Sequence, residues 1–167
     1  MKQQLSLRAP DRLSLRLRSV EWADAEHLRA WKNAHRDAFF FKDLISPEDQ
    51  HRWMEAYFTR EDDNMFVVEA DGQPVGCMGY RLIDGRGDVY NVILGIPEAG
   101  GRGMMSLALR LMLTQARERV STIGLKVLKT NPAIAFYRRA GFDVASDRGD
   151  HLELTLNWAR FQPIEGI

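Results

Sequence analysis

One cysteine, Cys77, stands among 167 residues, so no intramolecular disulfide is available and folding must rest on packing. An excess of charge is also missing. The 23 basic and 23 acidic side chains balance, which removes the electrostatic case for nucleic acid or an acidic membrane as partner, and neither is expected. No apolar run is long enough for a signal-peptide core or a membrane span, and a cytoplasmic location is the default expectation. Repeats, linkers and low-complexity segments are absent. The histidines, His27, His35, His51 and His151, are scattered and share no metal-ligand spacing with Cys77, so no metal is expected. The length admits one domain with a proper core and is too short for two.

What is present reads as alternating strands and helices. Residues 1–11 are expected as a loose arm, residues 12–160 as the domain, and residues 161–167 as a tail. Leu13, Leu15 and Leu17 alternate with polar residues and mark the first strand. Residues 22–34 carry Ala25, Leu28 and Trp31 at helical spacing. Ser46 and Pro47 open a second helix through about Thr59, with Asp49 at the capping-box position. Asp71-Gly72 is a hairpin turn between strands at 65–70 and 74–83, and residues 84–87 turn into a strand at 89–96. A helix at 103–120, a strand at 122–128 and a closing hairpin of 142–145 with 152–158 complete the pattern.

Two segments carry chemistry. In residues 131–142, Asn131 and Pro132 are helix-start residues and Gly141 is a stop signal, giving a very short helix. Phe136 and Ala140 share one face of it, while Tyr137 is turned about 100° away, so one aromatic packs and the other points elsewhere. The bland alternative is a capped helix whose Tyr merely packs. Some thirty residues upstream, residues 97–106 form a glycine loop between strand and helix, with Gly100, Gly101 and Gly103. Glycines let the backbone approach a diphosphate, and the helix that follows offers unpaired N–H groups and a positive dipole end. A dinucleotide fingerprint would need Gly where Ser106 stands, and no Gly-Lys-Ser/Thr exists for a P-loop.

Together these motifs resemble the GNAT superfamily of N-acetyltransferases, within it the subgroup of ribosomal-protein N-terminal acetyltransferases and nucleotide-aminosugar N-acetyltransferases. Gly101 and Gly103 match its loop pattern; Gly100 stands where Arg or Gln is usual, and Met105 where a small residue is usual. The resemblance implies one α/β (α+β) domain: a mixed, mainly antiparallel sheet of about six to seven strands, about four helices on its two faces, and splayed central strands. It implies acetyl-CoA as acetyl donor, held by backbone at Leu94, Gly95 and Ile96, by the loop and helix start (Gly101, Arg102, Gly103, Met104, Met105, Ser106), and by Asn131, Ala135 and Tyr137.

The implied reaction is direct attack of a primary amine on the thioester in a ternary complex, without a covalent enzyme intermediate. Cys77, on a strand, reads as a small core residue. An alkyl ammonium has a pKa of about 10, so a base must take its proton; Glu98 ranks first, with Asp88 and Asp84 behind it. Tyr137 suits protonation of the leaving thiolate. The helices around Trp31, Asn33, His35, Arg36 and Phe40 are expected to border the acceptor, an amino sugar nucleotide whose diphosphate and base the Arg and aromatics would meet. Packing aromatics and a solvated Arg are the alternative. A protein N-terminus as acceptor, a noncatalytic acetyl-CoA-binding regulatory module, and a homodimer are left open.

Overall fold

A computed structural model describes residues 2–167; Met1, part of the expected arm, lies outside the described residues. Eight strands form one sheet in the order β1-β2-β3-β4-β5-β6-β8-β7. The strands are β1 (Ser6–Ala9), β2 (Arg12–Ser19), β3 (Asp63–Ala70), β4 (Gln73–Ile83), β5 (Arg86–Leu94), β6 (Ile123–Leu128), β7 (Phe142–Asp147) and β8 (His151–Leu156). The helices are α1 (Ala25–Ala34), α2 (Pro47–Thr59), α3 (Met104–Ala116) and α4 (Ile134–Ala140). Every neighbouring pair runs antiparallel except β5 and β6, which α3 connects.

The extra strand comes from the expected arm. Ser6, Leu7 and Ala9 pair with β2, Ala9 is fully buried, and Leu5 and Leu7 pack on the core. Alternation this short is easily overlooked, but the burial explains why the segment is ordered. The C-terminal residues are also tied down: Phe161 is buried, and Ile164 N–H donates to Thr114 Oγ1 on α3.

The sheet is covered on both faces, which is why β3 reads as a continuous apolar run, Met65 to Val68, with little alternation. Phe66 and Val68 face α3 with Leu15, Leu17, Met78 and Tyr80. Met65 and Val67 face α1 and α2 with Val20, Cys77 and Ile93. Ser46 caps α2 by accepting from Asp49 N–H at 3.1 Å, with Pro47 in the first turn. The helix expected from Trp22 begins instead with a 3-10 turn, Trp22–Asp24, because Asp24 Oδ2 accepts from Glu21 N–H and also pairs with Arg18. Both β3–β4 and β4–β5 turns have two residues with positive φ, Asp71-Gly72 (51° and 79°) and Asp84-Gly85 (51° and 78°). That geometry matches the twist of the strands and lets β5 begin at Arg86, earlier than its apolar residues suggest.

Candidate active site

The loop before α3 is shaped by two left-handed glycines, Gly101 at φ +78° and Gly103 at φ +70°; Gly103 is the residue from which the helix starts. No side chain caps that start, and the first backbone bond is Leu107 N–H to Gly103 O at 3.0 Å. The N–H groups of Met104, Met105 and Ser106 therefore have no partner among the described residues, at the positive end of a 13-residue helix. Arg102 is exposed; its carbonyl accepts from Arg12 Nη1 at 2.8 Å, which ties the loop to β2.

The two departures from the family pattern have local explanations. A Cβ at Gly100 would lie 3.1 Å from both Leu94 Cδ2 and Pro97 O, so the loop folds tightly there. Met105 turns away from the loop onto β4, where its Sδ would lie 3.0 Å from a Cβ at position 76; the missing side chain of Gly76 makes the room. Met105 packs on the core.

Strands β5 and β6 pair at only two positions, Gly87 with Ile123 and Asp88 with Gly124. Beyond them the strands diverge, β5 keeping to β4 and β6 to β8. A cleft of about 1260 Å³ opens there. Gly95 and Ile96 both donate their N–H to Val75 O, at 2.8 and 3.1 Å, so these two amides, expected to serve a ligand, are already committed. Those bonds also end β5 at Leu94.

Tyr137 projects from α4 into the cleft. Its ring packs against Phe136 and Phe142, its hydroxyl has no hydrogen-bond partner among the described residues, and burial pushes its pKa upward. It is therefore a neutral O–H donor at physiological pH. Asn131 Oδ1 accepts from Ala133 N–H at 2.8 Å, forming the turn that precedes α4, so the helix begins at Ile134, later than a cap at Asn131 would place it. Its Nδ2 donates to Ala38 O at 3.2 Å and Phe40 packs edge-on against His151, so the loop between α1 and α2 reaches across the cleft. Ala135 is exposed on α4. Gly141 at φ +116° ends the helix as expected.

The carboxylate ranked first as base is not in this cleft. Glu98 sits exposed in the 3-10 turn Pro97–Ala99 and is absent from the cleft lining, whereas Asp88 lines it at the point where β5 and β6 part. Burial raises the Asp88 pKa against the opposing pull of Arg81 and Lys126. Cys77 also lines the cleft, but burial pushes its thiol up to about 12 and its Sγ donates to Asn91 O.

Of the five side chains expected at the acceptor, Phe40 alone lines the cleft. Trp31 is buried in the core beneath the sheet, so close to Gly95 that a Cβ there would lie 2.1 Å from its Cε2. Asn33 bonds both the N–H and the carbonyl of Ile45, holding the α1–α2 loop. His35 and Arg36 are exposed outside the cleft, and Arg36 Nη1 donates to Asn33 O. A helix returns to one side once per turn; Leu28 and Lys32, four apart, are the α1 residues that reach the cleft. Lys32 and Asn91 were not singled out by sequence. Asn91 has one signal, a polar residue inside the apolar run of β5, and it sits at a β-bulge with φ +49°. Among the described residues no three His, Cys, Asp or Glu side chains gather as a metal site, and no helix is long and apolar enough to cross a membrane.

Residues 28–142 match the model of the acetyltransferase (GNAT) family. Among curated proteins none matches the chain in sequence. Solved structures share the fold. FdhC, described as a nucleotide-linked sugar GNAT, is 18% identical with TM-score 0.76 over 95% of this chain and 93% of its own. The PaiA N-acetyltransferase of Thermoplasma acidophilum, in complex with coenzyme A, is 16% identical with TM-score 0.71 over 87% and 99%. RimL, a ribosomal-protein alpha-N acetyltransferase in complex with coenzyme A, is 18% identical with TM-score 0.69 over 88% and 94%.

Proposed function

From the premise that the chain belongs to the acetyltransferase (GNAT) family, we propose that its cleft acetylates the amino group of an amino sugar nucleotide. The protein is an acetyl-CoA-dependent N-acetyltransferase. The observation that carries the site assignment is the pairing of an uncapped α3 start, behind two left-handed glycines, with an unpartnered Tyr137 hydroxyl in the opening between β5 and β6.

Those residues suit the donor: the N–H groups of Met104, Met105 and Ser106 would hold its diphosphate, with Arg102 free to add a charge. Asn131 would reach the pantetheine arm by exchanging its bond to Ala38 O, and Ala135 leaves the α4 surface open beside it. Acetyl-CoA supplies an acetyl group activated as a thioester. Asp88 is the base we assign in place of Glu98, taking the ammonium proton of the acceptor at its carboxylate, directly or through water. Tyr137 would give its hydroxyl proton to the departing sulfur, a task for which its unpartnered O–H in the cleft is placed. Phe40 and its neighbours Phe39 and Phe41 form the aromatic wall on the acceptor side, and Arg81, Arg86 and Lys126 supply positive charge.

A protein N-terminus is the second reading, favoured by exposed apolar side chains on the α1–α2 loop, Phe41 at 55% and Leu44 at 65% exposure. Thiol release from acetyl-CoA, followed over a panel of nucleotide aminosugars and short peptides, separates the two. Turnover on peptides alone would overturn the sugar reading. Cofactor binding with no turnover on any amine, and no effect of Tyr137→Phe, would mean a regulatory acetyl-CoA-binding module.

A further inference from the structure

We propose that Lys32 is the counter-ion for an anionic group, a phosphate or a carboxylate, carried by the acceptor. This rests on the acetyltransferase reading of the cleft and narrows its acceptor to an amine that bears negative charge. Lys32 comes from α1, partly buried, and lines the cleft with Asn91 of β5 and Phe39 of the α1–α2 loop. Its Nζ donates to Asn91 Oδ1 and lies 3.5 Å from the centroid of the Phe39 ring. An ammonium has three donors, so these contacts leave donor capacity toward the cleft.

Among the described residues no carboxylate pairs with it. Of the cleft's acids, Asp49 of α2 pairs with Arg52 and Glu153 of β8 with Arg148, while Asp88 of β5 feels the charges of Arg81 and Lys126. The charged or ionisable groups that act on Lys32 are the Cys77 thiol and the Arg81 guanidinium, both on β4; Arg81 itself is held by Asp63 and stacks on Tyr90. Burial holds the Lys32 pKa down, to about 8, the sign of an ammonium whose charge lacks compensation. Arg18 provides the contrast within the same fold. It too is largely withdrawn from water, but it is bonded to Asp24 through two nitrogens and to Glu69 through a third, and its charge is fully used by structure.

Asn91 positions this ammonium. Its left-handed backbone, uncommon for a residue other than Gly, is part of the bulge that brings its side chain to the cleft, where it holds Lys32 toward the space in front of β5. An arriving phosphate or carboxylate would replace the missing counter-charge, whereas an uncharged amine would leave Lys32 as it is.

The test is the titration of Lys32 in the wild-type protein by NMR of its side-chain methylene next to Nζ, assigned by its loss in Lys32→Arg and in Lys32→Met, with coenzyme A present to fill the glycine-loop side. Inorganic pyrophosphate and succinate are the two probes. The expected result is that one of them moves the titration upward by about one pH unit or more, a tenfold stabilisation of the ammonium. Response to pyrophosphate alone identifies a phosphate-bearing acceptor, and response to succinate alone a carboxylate-bearing one. An unmoved titration with both overturns the proposal. Because the readout is local to Lys32, it is distinct from a failure of acetyl-CoA binding or turnover, which would strike the acetyltransferase reading instead.

Discussion

The glycine loop with the α3 start and the cleft are built from different material, and no residue of that loop or helix start lines the cleft. On the α3 side the functional groups are backbone N–H groups, arranged by Gly101 and Gly103 in a continuous loop-and-helix segment. On the α1–α2 side they are side chains from separated elements: Lys32 of α1, Phe39 and Phe40 of the loop, Cys77 and Arg81 of β4, and Asp88 and Asn91 of β5. A backbone site tolerates side-chain change, as Met105 and Gly76 illustrate. A side-chain site is set residue by residue. The loop thus depends on backbone conformation, while the cleft depends on particular side chains.

The strongest way to break this arrangement is at Gly95, where β5 rests on Trp31. Gly95→Ala places a methyl group 2.1 Å from a buried indole that has no room to retreat. A loss of about 3 kcal/mol in urea unfolding is expected, and a loss below about 1 kcal/mol would show that Trp31 moves freely. Next comes Tyr137→Phe, which removes the proton donor and leaves the ring packing on Phe142 intact; kcat should fall about 100-fold with stability unchanged. Asp88→Asn sharpens the acceptor side. A base must be ionised to act, and burial raises the Asp88 pKa, so kcat/KM of the wild type should rise with pH through a value above the ordinary carboxylate range. The substitution should cost about tenfold or more and abolish that acid limb. Glu98→Gln, by contrast, should leave both rate and pH profile unchanged, since Glu98 is exposed outside the cleft.

Sequence made the glycine loop and the α4 segment legible as structure because their signals are local. Glycines at fixed spacing before an apolar helix, and Asn-Pro to Gly-Phe around Tyr137, specify turns and helix ends within a dozen residues. The acceptor side of the cleft was legible only in Phe40. Whether a residue of α1 faces the cleft depends on the rotation of the helix about its axis, and Trp31 and Lys32, adjacent in sequence, take opposite fates for that reason. Asp88 and Glu98 differ likewise, since only the opening of β5 from β6 decides which acid meets the cleft. The edge strand β1 escaped because four residues carry too little alternation to register.

The central claim, that the glycine loop and α3 start hold acetyl-CoA, is tested most directly by calorimetric titration of the protein with acetyl-CoA beside Gly103→Asp. The space at position 103 is open, its nearest neighbour being Arg12 Nη1 at 4.0 Å, so the substitution adds a carboxylate to the helix start without a steric clash, at the cost of a left-handed backbone that Asp adopts less readily than Gly. Saturable binding in the wild type, weakened about 100-fold in the variant while the fold is retained by circular dichroism, is the expected result. No binding to the wild type, or equal binding by both, would contradict it.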